Sequence, residues 1–274
     1  MKTLHLIILF AGSLLLFACG PLEPATNGEV NTSFQDAPIV LVHGAWQDGS
    51  TWSQVQQALE ASGRTVSAVT LPGRDGEDAG TQTLEGYRDA VITAVEVYEE
   101  PVILVGHSFG GMTISAVAEA IPNQIASLVY LAAYLPSDGD SLLSLAKEDH
   151  ISALTEEGNL SFSDDRAVAS VATERFAELF CPDCKDTNIE AVTASALGEP
   201  ARPLAEPISL TDEKFGMVPK VYILTAQDIV VGPQLQVLML GHTPVDQIFV
   251  LDTGHAPYVT ATDELAGLLD QLQF

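Results

Sequence analysis

Gly106-His107-Ser108-Phe109-Gly110-Gly111 is the stretch that decides how this chain is read. The apolar run Val102-Ile103-Leu104-Val105 precedes it, and the helix-compatible stretch Met112 to Ala120 follows. A short buried strand, a sharp reversal and a helix would leave the Ser108 hydroxyl exposed at the end of the strand. Side chains at 106 and 110 would collide with neighbouring elements, so glycine is expected at both. The helix that begins there turns unpaired backbone N–H groups toward the serine, a setting that favours developing negative charge. The pattern marks Ser108 as a candidate nucleophile.

Working outward, five more short apolar runs punctuated by Pro, Gly or polar residues predict strands. With Val102–Gly106 the set is Ile39–His43, Thr65–Val69, Ile125–Leu131, Val221–Thr225 and Gln247–Leu251. Helical spacing lies between them in Trp52, Val55 and Leu59, and in Leu84, Tyr87, Val91, Val95 and Tyr98. Leu265, Leu268 and Leu269 predict a closing helix. Alternating strands and helices predict an α/β fold, with about six mostly parallel strands and helices on both faces. From about Pro136 to Pro207 the alternation stops, and the helical fragments Ser141–Glu148, Arg166–Phe180 and Asn188–Leu197 appear. So long a stretch is too large for a loop and predicts a mostly helical cap over the site.

A serine hydroxyl is a weak nucleophile without an oriented base. The partners expected downstream are an acid and then a histidine, each just beyond a strand. Asp228 follows Val221–Thr225, and His255 follows Gln247–Leu251. His255 is the expected base and Asp228 its orienting acid, with Asp138 as a rival acid after Ile125–Leu131. The oxyanion that forms on attack needs backbone donors. The Phe109 N–H and, in His43-Gly44-Ala45-Trp46, the Ala45 N–H are expected to supply them. His43 is expected to tie that loop down. Trp46, Phe109, Leu135 and Tyr258 are candidates to line an apolar substrate pocket.

Composition narrows the partners. Eleven Lys and Arg against 37 Asp and Glu give a formal charge of −26, which repels nucleic acid, anionic membranes and polyanionic substrates. Residues 1–19 carry Lys2, a nearly all-apolar Leu4 to Phe17 and Leu16-Phe17-Ala18-Cys19, a bacterial lipobox-like end. The apolar run is short for a spanning helix, which needs about 20 residues. The expectation is an exported lipoprotein anchored through Cys19. Its mature chain would begin with a flexible polar tether, residues 20–36, followed by the domain 37–274. Gly20, rather than Asp, after Cys19 points to the outer membrane if the host is Gram-negative. Cys181 and Cys184 in Cys-Pro-Asp-Cys read as a local disulfide or as two thiols. No further zinc ligands accompany them.

At this point the chain resembles a known group. His43-Gly44-Ala45-Trp46 with Trp52, the Gly106–Gly111 turn, Asp228 and His255 look like the small α/β-hydrolases related to plant methyl esterases and hydroxynitrile lyases. Their bacterial esterase relatives, among them salicylate-ester and pyrethroid hydrolases, are the nearest likeness. Ala133–Asp140 and Phe215–Ile223 extend the resemblance, which runs from about Pro38 to the C-terminus. It implies a six-stranded α/β-hydrolase fold and a serine carboxylesterase for small, largely uncharged esters, with no metal and no organic cofactor. The lyases resembled carry threonine in the oxyanion loop and lysine after the histidine, where this chain has Gly44 and Ala256. Hydrolysis is therefore expected over cyanide chemistry. A carboxylate-nucleophile dehalogenase is disfavoured by Ser108. Lactone, amide or perhydrolysis chemistry is the runner-up, and a non-catalytic binding lipoprotein the alternative from another class. Oligomeric state is not legible.

Overall fold

A computed structural model describes residues 36–74 and 78–272. The lipobox, Cys19 and most of the expected tether lie outside the described residues. Nine strands and ten α-helices occur among the described residues. The strands are β1 Ile39–Val42, β2 Val66–Val69, β3 Val102–His107, β4 Ile125–Leu131, β5 Leu160–Phe162, β6 Val168–Val171, β7 Glu199–Pro200, β8 Lys220–Thr225 and β9 Gln247–Leu251. The helices are α1 Ser53–Ala61, α2 Leu84–Val95, α3 Gly110–Ala120, α4 Leu142–Ala146, α5 Thr173–Phe180, α6 Asp186–Ala194, α7 Ala201–Ala205, α8 Pro233–His242, α9 Pro257–Thr260 and α10 Thr262–Gln271.

Six strands form one all-parallel sheet in the order β2-β1-β3-β4-β8-β9. β1, β3 and β4 are buried along their whole length, which is why they read as continuous apolar runs. β9 alternates, leaving Ile248 and Val250 exposed, as an edge strand allows. Helices cover the sheet on both faces, with α1 packed against α10 and α2 against α3. The chain leaves β1 toward β2 and returns on the other side as β3, so the order reverses between β1 and β3. Ligands bind at such a switch point, outside the carboxyl ends of the strands. Register puts Val42 opposite Gly106, so the loops after β1 and β3 emerge side by side there.

The cap departs from the mostly helical expectation. It contains α4 to α7 and also an antiparallel sheet, β5-β6-β7. Residues 166–172, expected to open a helix, instead form a turn at Arg166 (φ 60°) and then β6. β5 and β7 span three and two residues, too short to show a period in sequence. α5 starts only at Thr173. Cys181 and Cys184, just after α5, form a disulfide.

Candidate active site

Ser108 sits at the end of β3 with φ 53°, a left-handed conformation that an L-residue adopts only under constraint. The constraint is visible. Ser108 N–H donates to Leu131 C=O (3.2 Å), and its own C=O accepts from Gly111 and Tyr134 N–H (both 3.1 Å). A Cβ on Gly106 would come within 2.7 Å of the Gly110 backbone, and one on Gly110 within 2.8 Å of the Val42 and His43 carbonyls. The two glycines let strand, turn and helix pack this closely.

Asp228 and His255 reach the same edge from the loops after β8 and β9. Nδ1 of His255 lies 2.7 Å from Asp228 Oδ2, and both side chains are buried. A carboxylate only accepts, so the neutral ring carries its proton on Nδ1 and keeps the Nε2 lone pair. That Nε2 is buried and has no hydrogen-bond partner among the described residues. Asp228 also accepts from Thr225 Oγ1 (3.0 Å) and from the N–H groups of Val230 (2.8 Å) and Val231 (2.9 Å), which lock the carboxylate in place. Asp138, the rival acid, is exposed and instead accepts from Leu210 N–H (2.9 Å).

Two further histidines frame the site. His107 Nε2 donates to the His255 carbonyl (2.8 Å), and the two ring centroids are 4.6 Å apart. Burial, then the neighbouring His255, holds its pKa well below the ordinary value, so His107 adds no positive charge beside His255. His43 Nε2 accepts from Leu71 N–H (3.0 Å), so Nδ1 donates to Gly44 C=O (2.7 Å). Burial and the nearby Arg74 push its pKa down to about 3. This neutral histidine ties down the loop after β1. The loop runs against the serine: a Cβ on Gly44 would lie 2.7 Å from Ser108 Cβ. Ala45 N–H and Phe109 N–H donate to no acceptor among the described residues.

A narrow cavity of about 90 Å³ opens at Ser108. Its walls are Trp46, Tyr134, Leu142, Leu143, Ala146, Ser152, Leu154, Thr155, Leu160, Phe162, Ala169, Leu204 and Val230, and none is charged. Ser152 donates to Val230 C=O, Thr155 to Ser152 C=O and Trp46 Nε1 to Ala169 C=O. The Tyr134 hydroxyl makes no hydrogen bond among the described residues; burial raises its pKa, so it remains a proton donor. Wider grooves lie elsewhere, but the charges in the one between α2, α3 and α7 are paired, as Arg88–Glu85, Arg202–Glu206 and Lys214–Glu119.

Of the expected pocket residues only Trp46 borders the cavity. Leu135 is turned into the core, its N–H 3.3 Å from Met239 Sδ. Tyr258 packs on Trp52 and His107 and donates to Gln47 Oε1 (2.7 Å). Phe109 is fully buried, edge-on to Tyr87. The position before Leu135 is the one that reaches the cavity: beyond β4 the chain is irregular, with Ala132 at φ 46°, so strand alternation no longer tells which side chain faces the site. No local pattern in the sequence marks Tyr134 or the cap residues as lining the site.

A family model for the alpha/beta hydrolase family matches residues 39–268, and the chain belongs to that family. A putative chloroplastic methylesterase 14 of Arabidopsis thaliana is 28% identical over 264 residues, covering 90% of this chain and 76% of its own. Salicylic acid-binding protein 2 of Nicotiana tabacum is 30% identical over 211 residues, covering 69% of this chain and 78% of its own. Among solved structures, a pyrethroid hydrolase from Sphingobium faniae JZ-2 superimposes with a TM-score of 0.77 at 26% identity, over 85% of this chain and 95% of its own.

Proposed function

We propose that this carboxylic ester hydrolase is a serine esterase that cleaves small, largely uncharged esters through an acyl-enzyme intermediate. The observation that carries this reading is the buried, unspent Nε2 of His255, held by Asp228 at the strand edge where Ser108 borders the cavity. Nε2 takes the Ser108 proton as Oγ attacks the ester carbonyl. The oxyanion is met by the Ala45 and Phe109 N–H groups. The bond to the alcohol then breaks, the alcohol leaves with the proton held on His255, and water repeats the sequence to release the acid. Asp228 keeps the histidine tautomer and stabilises the imidazolium.

The cavity supports the substrate class. Its walls carry no charge, and the surface field opposes anions. At about 90 Å³ it is far smaller than the several hundred Å³ of a drug-sized ligand site, so it takes one small apolar group. No lysine lines it, which argues against holding cyanide. The test is a p-nitrophenyl ester series from acetate to long acyl chains, with Ser108→Ala as control. Activity should peak at short chains and vanish in the variant. Turnover that survives Ser108→Ala would overturn the assignment.

We also infer export and lipid anchoring through Cys19, supported by the charged, apolar and lipobox-like order of residues 1–19. Cells fed labelled palmitate should label the protein, and Cys19→Ala should abolish the label.

A further inference from the structure

The candidate oxyanion loop is held by a carboxylate that comes from the cap. Glu199, in β7, is fully buried and accepts from Trp46 N–H (2.9 Å), Arg74 Nη2 (2.6 Å) and the Tyr87 hydroxyl (2.8 Å). Arg74 in turn donates through Nε to the Gln47 carbonyl (3.0 Å). Burial pushes the Glu199 pKa up, and Arg74, the Trp46 N–H and Tyr87 pull it only part of the way back. Trp46 is a joint between body and cap. Its C=O accepts from Leu197 N–H (2.8 Å), its indole donates to Ala169 C=O (3.2 Å), and its ring meets Phe180 edge-on. Its φ is 62°, a left-handed conformation that persists only where the surroundings impose it.

Ala45 lies between two pinned peptides. A peptide group is planar, so orienting its N–H or its C=O orients the whole unit. His43 holds the Gly44 carbonyl and so directs the Ala45 N–H, the candidate donor to the oxyanion. Glu199 holds the Trp46 N–H and so sets the next plane. Remove Glu199 and the Ala45–Trp46 peptide loses the acceptor of its N–H, while Leu197 still holds the Trp46 carbonyl. A single bond at the Gly44 carbonyl fixes that peptide's direction but not its rotation about the bond, so relaxation of the next peptide would tilt the Ala45 N–H.

We propose that Glu199 is a positioning residue that fixes the Ala45–Trp46 peptide, so that the oxyanion hole is complete only when the cap is seated. This rests on the serine-esterase reading above. It makes the cap more than a wall of the substrate pocket, because its seating prepares the acyl-transfer site.

The test compares Glu199→Leu with Glu199→Gln, kcat being expressed per site that reacts to completion with a fluorophosphonate. Both variants leave Arg74 without its counter-charge and share that destabilisation. Only Gln keeps a carbonyl for the Trp46 N–H. Glu199→Leu should lose about 10²-fold in kcat, the scale of one oxyanion donor. Its KM should stay within about threefold, the mark of an interaction made in the transition state. Glu199→Gln should recover most of that loss, and the acid limb of the pH profile should not move. If either single variant fails to fold, Arg74→Met/Glu199→Leu removes both charges and should remain slow per labelled site. Wild-type kcat in Glu199→Leu or in the double variant, equal losses in Leu and Gln, or a shifted acid limb would overturn the proposal. Absent turnover and labelling in the unaltered protein would instead sink the esterase reading.

Discussion

The site has two halves of different origin. The sheet half brings Ser108, Asp228 and His255 from the ends of β3, β8 and β9. The cap half brings Glu199, Phe180 and most of the walls of the cavity. In the sheet half each residue sits one short turn beyond a strand whose register its neighbours dictate, so position follows from local pattern. In the cap half the decisive contacts join residues far apart in sequence, such as Trp46 and Glu199, 153 positions apart. The sheet half holds the groups proposed to react; the cap half carries the carboxylate proposed to set their fine geometry and borders the cavity beside them.

The division predicts a ranking of effects. Asp228→Asn strikes the sheet half hardest. An Asn amide can offer N–H to His255 Nδ1 and so favour the wrong tautomer, with an expected loss on the order of 10⁴-fold in kcat. The melting temperature should change by only a few degrees, because the Asn oxygen can still accept the Val230 and Val231 N–H groups. A loss below about tenfold would mean that the sheet half does not orient the base.

Acid should next expose the buried histidines of that half. His43 and His107 refuse protons in the folded state that the unfolded chain takes up below about 6.5. Stability from this source is therefore full above that pH and falls as the pH drops toward the folded pKa, about 3 for His43, by about 1.4 kcal/mol per pH unit for each histidine. The urea midpoint should be lower at pH 5 than at pH 7. An unchanged midpoint would contradict the neutral, buried assignment.

The cap half can be loosened without touching the reacting groups. The Cys181–Cys184 loop follows Phe180, whose ring is edge-on to His255, and it packs on Gly254, where a Cβ would meet Pro182 and Asp183 at 2.7 Å. Replacing both cysteines by serine opens a very short loop and should cost about 2 kcal/mol or less, read as a small fall in melting temperature. Activity should fall several-fold at most, through a looser His255 loop. A loss as large as that of Asp228→Asn would erase the distinction between the halves. Tyr134→Phe should have the smallest effect. Esters with an added hydrogen-bond acceptor should lose about two- to tenfold in kcat/KM, while plain alkyl esters stay unchanged. Equal losses on both would show that the hydroxyl does not meet the substrate.

The six sheet strands were legible to within a residue or two because buried parallel strands read as apolar runs ended by turn residues. The placement of Ser108, Asp228 and His255 at one sheet edge was legible for the same reason, as polar residues just past those runs. The disulfide was one of two open readings of Cys-Pro-Asp-Cys, and the structure pairs the sulfurs. The cap strands β5 and β7 were invisible because they are too short to carry a period. Of the candidate pocket residues, Leu135 and Tyr258 turn into packing contacts, whereas Tyr134, which no local pattern marks, borders the cavity.

Glu199 marks the limit. It is one of 37 acidic residues, and nothing beside it in the chain sets it apart. Strand, elbow and strand-end histidine are written locally, because hydrogen-bonded ladders and tight turns constrain only near neighbours. The burial of one carboxylate against Arg74, Tyr87 and the Trp46 N–H is not. It comes from how the cap settles on the sheet, where packing and the need to satisfy a buried charge choose partners more than a hundred residues away.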